Sequence, residues 1–461
     1  MSGAAPAPLW TAASVAAATG GLAAGEFAAD GVLLDSREAK AGDLFVALAG
    51  ASADGHDFVE DARARGAAGA LVSRPVPAPH VRVADTQAGL EALGAAARAR
   101  AAEATVIGVT GSVGKTGCKE ALRLAFCRTH PDRTHWSEKS YNNHTGVPLS
   151  LARMPPDARW AVFEMGMNHA GEIARLTRQV RPHVALVTWV ASAHIENFPD
   201  GEPGIARAKA EIFEGVEPGG IAVIPADNRH APILAARARA LGLEILAFGR
   251  SPEASVRLVS AEERPEGTEV VADVAGEQLA FRLGLPGAHW VSNALAVLAA
   301  VHAAGGDLAE AGLALAEMAP LPGRGARVEV PLAGGAAILL DESYNANPAS
   351  MEAALAVLAR APGRRLAVLG AMKELGAASD ALHAALAGAI ARAGLAELAL
   401  VGPEMEALRL PGAAHLPDAE AALAWVRARL RPGDTLLVKG SNAVGLSRIV
   451  EALGRTAEAA Q

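Results

Sequence analysis

At 461 residues the chain is too long for one ordinary hydrophobic core, and a length of roughly 150 residues per domain predicts about three. Hydrophobic residues make up 51% and charged residues 20%, which excludes wholesale disorder, and a net charge of -8 argues against broad attachment to nucleic acid or an anionic membrane while leaving room for a local phosphate pocket. No Lys or Arg precedes Arg37 and no apolar run reaches the ~20 residues of a spanning helix, so the expectation is a cytoplasmic chain with no membrane segment.

In chain order, Val32-Leu-Leu-Asp-Ser-Arg37, Gly42-Asp-Leu-Phe-Val-Ala-Leu48 and Gly69-Ala-Leu-Val-Ser73 are short apolar runs bounded by Gly and polar residues, the pattern of strands. A helical stretch over 58–66 separates two of them, so residues 1–84 read as a small α/β domain. An Ala/Arg-rich helix over 89–102 leads to Thr105-Val-Ile-Gly-Val109, a buried strand that enters a Gly-rich loop and then a helix over 115–126. Both cysteines, Cys118 and Cys127, fall on that helix or directly at its end, and their spacing suits neither a metal site nor a disulfide framework; both read as packing residues. Strands at 160–164, 183–188 and 220–224 alternate with helical patterns, which implies a largely parallel sheet. Residues 254–285 become hairpin-like, and 292–304 read as one helix. Together, residues 85–319 form the expected central domain. The Pro/Gly cluster Pro320-Leu-Pro-Gly-Arg324 marks the next boundary, and apolar strands at 337–340, 365–369, 398–401 and 435–438 predict a second, Rossmann-like unit over 320–461.

The strongest chemical signal is Thr110-Gly-Ser-Val-Gly-Lys-Thr116. Backbone N–H groups of Gly111, Ser112, Val113 and Gly114, at a helix N-terminus, can cradle phosphate oxygens; Lys115 would neutralise the β- and γ-phosphates and Thr116 would ligate Mg²⁺. The general phosphate-loop pattern asks for glycine where this chain has Val109, so the loop is a variant. Further along stand Glu164 in Phe163-Glu-Met-Gly166, His194 in Ala193-His-Ile-Glu196 and Lys209 in Ala208-Lys-Ala-Glu-Ile-Phe213. Taken singly these read as a capping carboxylate, a loop histidine and a solvated lysine.

The variant loop followed by that acid, histidine and lysine resembles the Mur ligases and their folylpolyglutamate synthetase relatives. The resemblance implies ATP as cosubstrate and two Mg²⁺ ions held by Thr116, Glu164 and His194, with Lys209 carbamylated into a carboxylate-like ligand. Ser140-Tyr-Asn-Asn-His-Thr-Gly-Val-Pro-Leu149, Glu164-Met-Gly-Met-Asn-His-Ala-Gly-Glu172 and Asp341-Glu-Ser-Tyr-Asn-Ala-Asn-Pro348 are similar to strings of the family members that add D-alanyl-D-alanine to a UDP-N-acetylmuramoyl-tripeptide. Glu342 stands where those members carry aspartate. Val368-Leu-Gly-Ala-Met-Lys-Glu-Leu-Gly376 and Val438-Lys-Gly-Ser441 match as well, with Ala371 at a position where an acidic residue is usual.

By the same resemblance Asn293 and Glu342 would contact the nucleoside and Arg324 the γ-phosphate, with Arg327 a nearby competitor; Asn142, Asn143, Asn345 and Asn347 would lie beside substrate. Ser36 and Arg37 would offer a hydroxyl and a guanidinium to the UDP moiety, although in isolation they read equally well as a turn and a surface charge. The implied catalytic set is Lys115, Glu164, His194, Lys209 and Arg324. A monomer is expected. Two alternatives stay open: another amide ligase of the superfamily, for an earlier stem-peptide step or for folylpolyglutamate, and a non-catalytic nucleotide-binding regulator.

Overall fold

The structure, a computed structural model, describes residues 7–50, 53–193, 195–264, 267–285, 287–320 and 323–458. Among them no helix is long and apolar enough to cross a membrane.

The chain builds three main sheets. The first has the spatial order Leu22–Ala24, His80–Arg82, Gly69–Val72, Asp43–Val46, Gly31–Leu33, parallel except for the first pair. Its core joins Trp10, Leu44 and Leu71 to Leu90, Leu93 and Ala97 of the helix Thr86–Arg100, and also to Leu149 and Ala152 from the helix Gly146–Ala152. The Trp10 indole N–H donates to the Ala152 carbonyl at 2.8 Å. The helix after residue 84 therefore shares its apolar face with the first sheet, and the first two units meet through side-chain packing.

The second sheet has nine strands, ordered Glu277–Leu283, Gly267–Val274, Val256–Arg264, Glu244–Gly249, Ile221–Pro225, Val184–Val187, Thr105–Thr110, Trp160–Glu164, Thr134–Trp136. The strands from Thr134–Trp136 through to Val256–Arg264 pair in parallel, and the last two turn back as an antiparallel extension. Central strands such as Val184-Ala-Leu-Val187 are buried along their whole length because helices cover both faces, so they carry no alternation. Helices Lys115–Thr129, Ala288–Ala303 and Leu308–Glu317 pack on one face; Glu172–Val180, Glu202–Ala210 and Ala231–Ala240 pack on the other.

The third sheet runs Ala326–Leu332, Gly335–Glu342, Thr435–Lys439, Arg365–Gly370, Glu397–Val401, Ala414–Leu416, parallel after the first antiparallel hairpin. Helices again cover both faces, giving two separate cores. The resulting α/β architecture, with a phosphate-loop parallel sheet followed by a doubly wound unit, is the fold class predicted from the sequence. Cys118 is buried in the core and Cys127 half-buried, both free.

Candidate nucleotide and ligation site

The strand Thr105–Thr110 ends at the C-terminal edge of the central sheet, and the chain then turns over Gly111 and Gly114 into the helix Lys115–Thr129. Both glycines have positive φ, +154° and +85°, and a Cβ on them would lie 1.9 Å from Thr188 Oγ1 and 2.6 Å from Asn293 Oδ1 respectively. The loop is strapped from behind: the Ser112 N–H donates to the Trp189 carbonyl at 2.7 Å, the Ser112 hydroxyl to the Ala191 carbonyl at 2.9 Å, and the Thr188 hydroxyl to the Val113 carbonyl at 2.5 Å. Its shape is thus fixed by these partners; the Ser112 N–H, expected in the phosphate cradle, is spent on Trp189, and the N–H groups of Val113 and Gly114 are left for a ligand.

In front of the loop lies a cavity of about 570 Å³ shared by the central and third domains. Ser112, Val113, Gly114, Lys115, Thr116, Asn142, Glu164, Lys209 and Asn293 line it from the central side; Arg324, Glu342, Asn345 and Asn347 line it from the other. These residues span more than two hundred positions of sequence, and the fold gathers them around one space.

Within the cavity Lys115 Nζ donates to the Gly111 carbonyl at 2.6 Å. Burial pushes its pKa down, Glu164 opposes that shift, and Arg324 adds to it. Glu164, 1% exposed, accepts from the Thr116 hydroxyl at 2.9 Å and from the Asn142 carboxamide at 2.7 Å, one on each oxygen. Lys209 is 2% exposed and its amine makes no hydrogen bond or ion pair among the described residues; burial, with a contribution from the Lys115 charge, drives its pKa well below the usual lysine range. Arg324 lies over the Tyr344 ring at 4.2 Å and lines the cavity, whereas Arg327, on the strand Ala326–Leu332, does not. Asp341 is consumed locally, accepting from the Gly323 N–H at 2.7 Å and the Ser343 hydroxyl at 2.6 Å, so the carboxylate that faces the cavity from this string is Glu342.

Other expected residues are engaged in local contacts, Asn347 while it also lines the cavity. His194 lies outside the described residues. The Asn143 carboxamide accepts from the Gly146 N–H at 2.8 Å and starts the helix Gly146–Ala152, and the Asn347 carboxamide caps Pro348–Ala359 by accepting from the Ser350 N–H at 2.9 Å. Ser36 is buried and donates to Asp61 at 2.8 Å, while Arg37 is exposed and paired with Asp35 at 2.6 Å beside a second groove between the first sheet and the strand Thr134–Trp136. Sequence reasoning missed Lys439 as a site residue. It is 1% exposed, lines the cavity, and bonds to Glu342 at 3.3 Å and to the Asn345 carbonyl at 2.9 Å. Its signal was a lysine ending an apolar strand in Val438-Lys-Gly-Ser441, where an interior ammonium needs partners.

Known proteins carry the same organisation. Residues 29–101 match the Mur ligase family catalytic domain, 109–301 the Mur ligase middle domain and 324–442 the Mur ligase glutamate ligase domain. The UDP-N-acetylmuramoyl-tripeptide–D-alanyl-D-alanine ligase of Escherichia coli K12 is 36% identical over 449 residues, 94% of this chain and 96% of that one. Among solved structures, MurF from Acinetobacter baumannii superimposes with a TM-score of 0.85 at 31% identity, covering 97% of this chain and 99% of that one. MurF ligase from Thermotoga maritima in complex with ADP does so with a TM-score of 0.77 at 28% identity, covering 94% and 98%. With three family domains matched in order and full-length relatives above 30% identity, the chain belongs to the Mur ligase family.

Proposed function

We propose that the chain joins D-alanyl-D-alanine to a UDP-N-acetylmuramoyl-tripeptide at the expense of ATP, in the cytoplasm and as a monomer, with residues 1–84 receiving the UDP moiety, 85–319 the ATP and 320–461 closing on both. The observation that carries the reading is the single cavity in which Lys115 and Thr116 of the phosphate loop face Arg324 and Glu342 of the third domain. Relatives bearing that activity in their names align over the first domain as well as the ATP-binding part, which favours it over a folylpolyglutamate-type or earlier stem-peptide ligase.

In the first step the terminal carboxylate of the tripeptide attacks the γ-phosphorus and the bond to the bridging oxygen of ADP breaks, giving an acyl phosphate. Lys115 and Arg324 approach from opposite walls and stabilise the negative charge spread over the transferring group. In the second step the free amine of D-alanyl-D-alanine attacks the acyl carbon, and the tetrahedral intermediate expels phosphate to leave the amide. Enclosure between two domains keeps water from the acyl phosphate.

Mg²⁺ suits the donors present. The Thr116 hydroxyl and Glu164 carboxylate are hard oxygen ligands already placed together at 2.9 Å. Among the described residues no three His, Cys, Asp or Glu side chains converge. When bound, the ion supplies Lewis-acid neutralisation of the phosphate charge. Of the residues expected at a second ion, His194 is assigned by family resemblance alone; Lys209 has support from its environment. A buried amine held neutral adds to carbon dioxide, forming the N–C bond of a carbamate and releasing one proton, and the product is an anionic oxygen ligand.

The test is phosphate release that requires ATP, the tripeptide nucleotide and D-alanyl-D-alanine together. Release with glutamate and a folate instead would overturn the assignment, and nucleotide binding with no turnover of any amine would favour a regulator.

A further inference from the structure

Lys119 sits one helical turn beyond Thr116 on the phosphate-loop helix, does not line the cavity, and is 0% exposed. Its ammonium donates to the Ser137 carbonyl at 2.8 Å and the Lys139 carbonyl at 3.1 Å, and lies 2.5 Å from the Glu120 carboxylate. Two carbonyls and one carboxylate thus surround the buried ammonium, which does not line the cavity. Both carbonyls belong to residues 137–143, a segment without regular structure between the strand Thr134–Trp136 and the helix Gly146–Ala152. Lys139 adopts a left-handed φ of 49°, a conformation unfavourable for a side-chain-bearing residue unless neighbours hold it.

Near its end the segment carries Asn142, whose carbonyl accepts from the Gly166 N–H at 2.7 Å and whose carboxamide donates to Glu164 at 2.7 Å. Near its start the Ser137 hydroxyl accepts from the Glu164 N–H at 3.4 Å. One helix therefore presents Thr116 to one oxygen of Glu164 directly and, through Lys119 and the segment, presents Asn142 to the other. We propose that Lys119 is a positioning residue: its ammonium pins residues 137–143 so that Asn142 orients the Glu164 carboxylate for the cation accompanying the nucleotide. The inference rests on the proposed site, with Glu164 as cation ligand, and not on the identity of the amine substrate.

A lysine that served packing alone would lower thermal stability without selecting among ligands. A positioning lysine separates two quantities: the affinity for ADP alone, set by the phosphate-loop backbone, and the gain in affinity on adding Mg²⁺, set by Glu164. Calorimetric titration of the full chain with ADP, with and without Mg²⁺, is expected to show Lys119→Met within about twofold of wild type in the absence of Mg²⁺ and to shrink the Mg²⁺-dependent gain about tenfold, the scale of one lost buried charged hydrogen-bond set. Asn142→Ala should do the same, and the double variant should lose no more than about threefold beyond Asn142→Ala, because residues acting in series do not add. Lys119→Arg, which keeps the donors, should recover most of the gain. If Lys119→Met gives no cooperative melt, the same cycle is run with Lys119→Gln.

Additive losses in the double variant, or equal weakening of ADP with and without Mg²⁺, would overturn the proposal. These readouts do not require turnover. A wild-type protein that shows the Mg²⁺-dependent gain but releases no phosphate with the proposed substrates would sink the function assigned above and leave the role of Lys119 standing.

Discussion

On the central wall of the cavity the polar groups are tied to the sheet and to each other: Lys115 to the Gly111 carbonyl, Thr116 and Asn142 to Glu164. On the third-domain wall, Lys439 and Glu342 bond to one another at 3.3 Å and Arg324 lies across the ring of Tyr344. The central wall is anchored behind by parallel strands buried on both faces, while the other stands on an antiparallel hairpin and the strand end beside it. A rigid cradle on one side and a self-satisfied charged face on the other suits a reaction in which nucleotide binds to the first and the second closes over it.

The largest effects should come from the cradle. Lys115→Ala is expected to reduce phosphate release by about 10⁴-fold, since it removes the cation that both binds and neutralises the transferring group. Retention of a tenth of wild-type turnover would remove Lys115 from the chemistry. Arg324→Ala is expected to lower kcat by about 10³-fold with a small change in the KM for ATP, as for an arginine that acts chiefly on the transition state. Arg327→Ala, outside the cavity, should stay within about twofold of wild type. The reverse ranking of the two arginines would reassign the γ-phosphate contact.

The central wall was also the more legible in the sequence, for a physical reason. A phosphate loop must join a buried strand to a helix N-terminus, so Val106, Ile107 and Val109 announce the strand and Gly111 and Gly114 the turn, all within ten residues. The alternation of apolar strands and helices gave the fold class in the same local way. The third-domain wall depends on juxtaposition across sequence. Lys439 gains meaning only once the strand Thr435–Lys439 pairs with Gly335–Glu342 and brings Glu342 beside it, a register that no local pattern encodes. Asn143 and Asn347 show the converse. Their type suited ligand contact, and each carboxamide oxygen accepts from a backbone N–H at a helix start, which leaves the amide NH2 as the group either could offer a ligand; Asn347 lines the cavity and Asn143 does not. Ser36 likewise turned inward to Asp61.

Lys209, on the central wall, comes next in expected effect after Lys115 and Arg324. Its pKa is depressed by burial, so the neutral amine that can carry a carbamate persists at lower pH than for an exposed lysine; below the depressed pKa it is protonated and the carbamate is lost. Activity in buffer stripped of carbon dioxide should therefore fall as pH is lowered and return on adding bicarbonate at fixed pH. Lys209→Ala should lose about 10²-fold and regain part of it with acetate or formate, on the scale of one displaced ligand to a catalytic cation. An unsupplemented variant with full activity would exclude the residue from the site, and a variant that no small carboxylate improves would argue for a role as an amine.

The smallest expected effect tests whether the third-domain wall is held by aromatic contact. Tyr344 is among the few large exposed hydrophobic residues, 37% exposed, and it supports the Arg324 guanidinium face-on. A partly exposed cation–π contact contributes about 0.5–1 kcal/mol, so Tyr344→Leu should reduce kcat about three- to fivefold through a less ordered Arg324. Tyr344→Phe retains the ring and should stay near wild type. If Tyr344→Leu is instead neutral in the wild-type background, or costs the same factor in an Arg324→Ala background, Tyr344 does not act through Arg324. The third-domain wall would then owe its arrangement to the Lys439–Glu342 pair, and Lys439→Met should have the larger effect of the two.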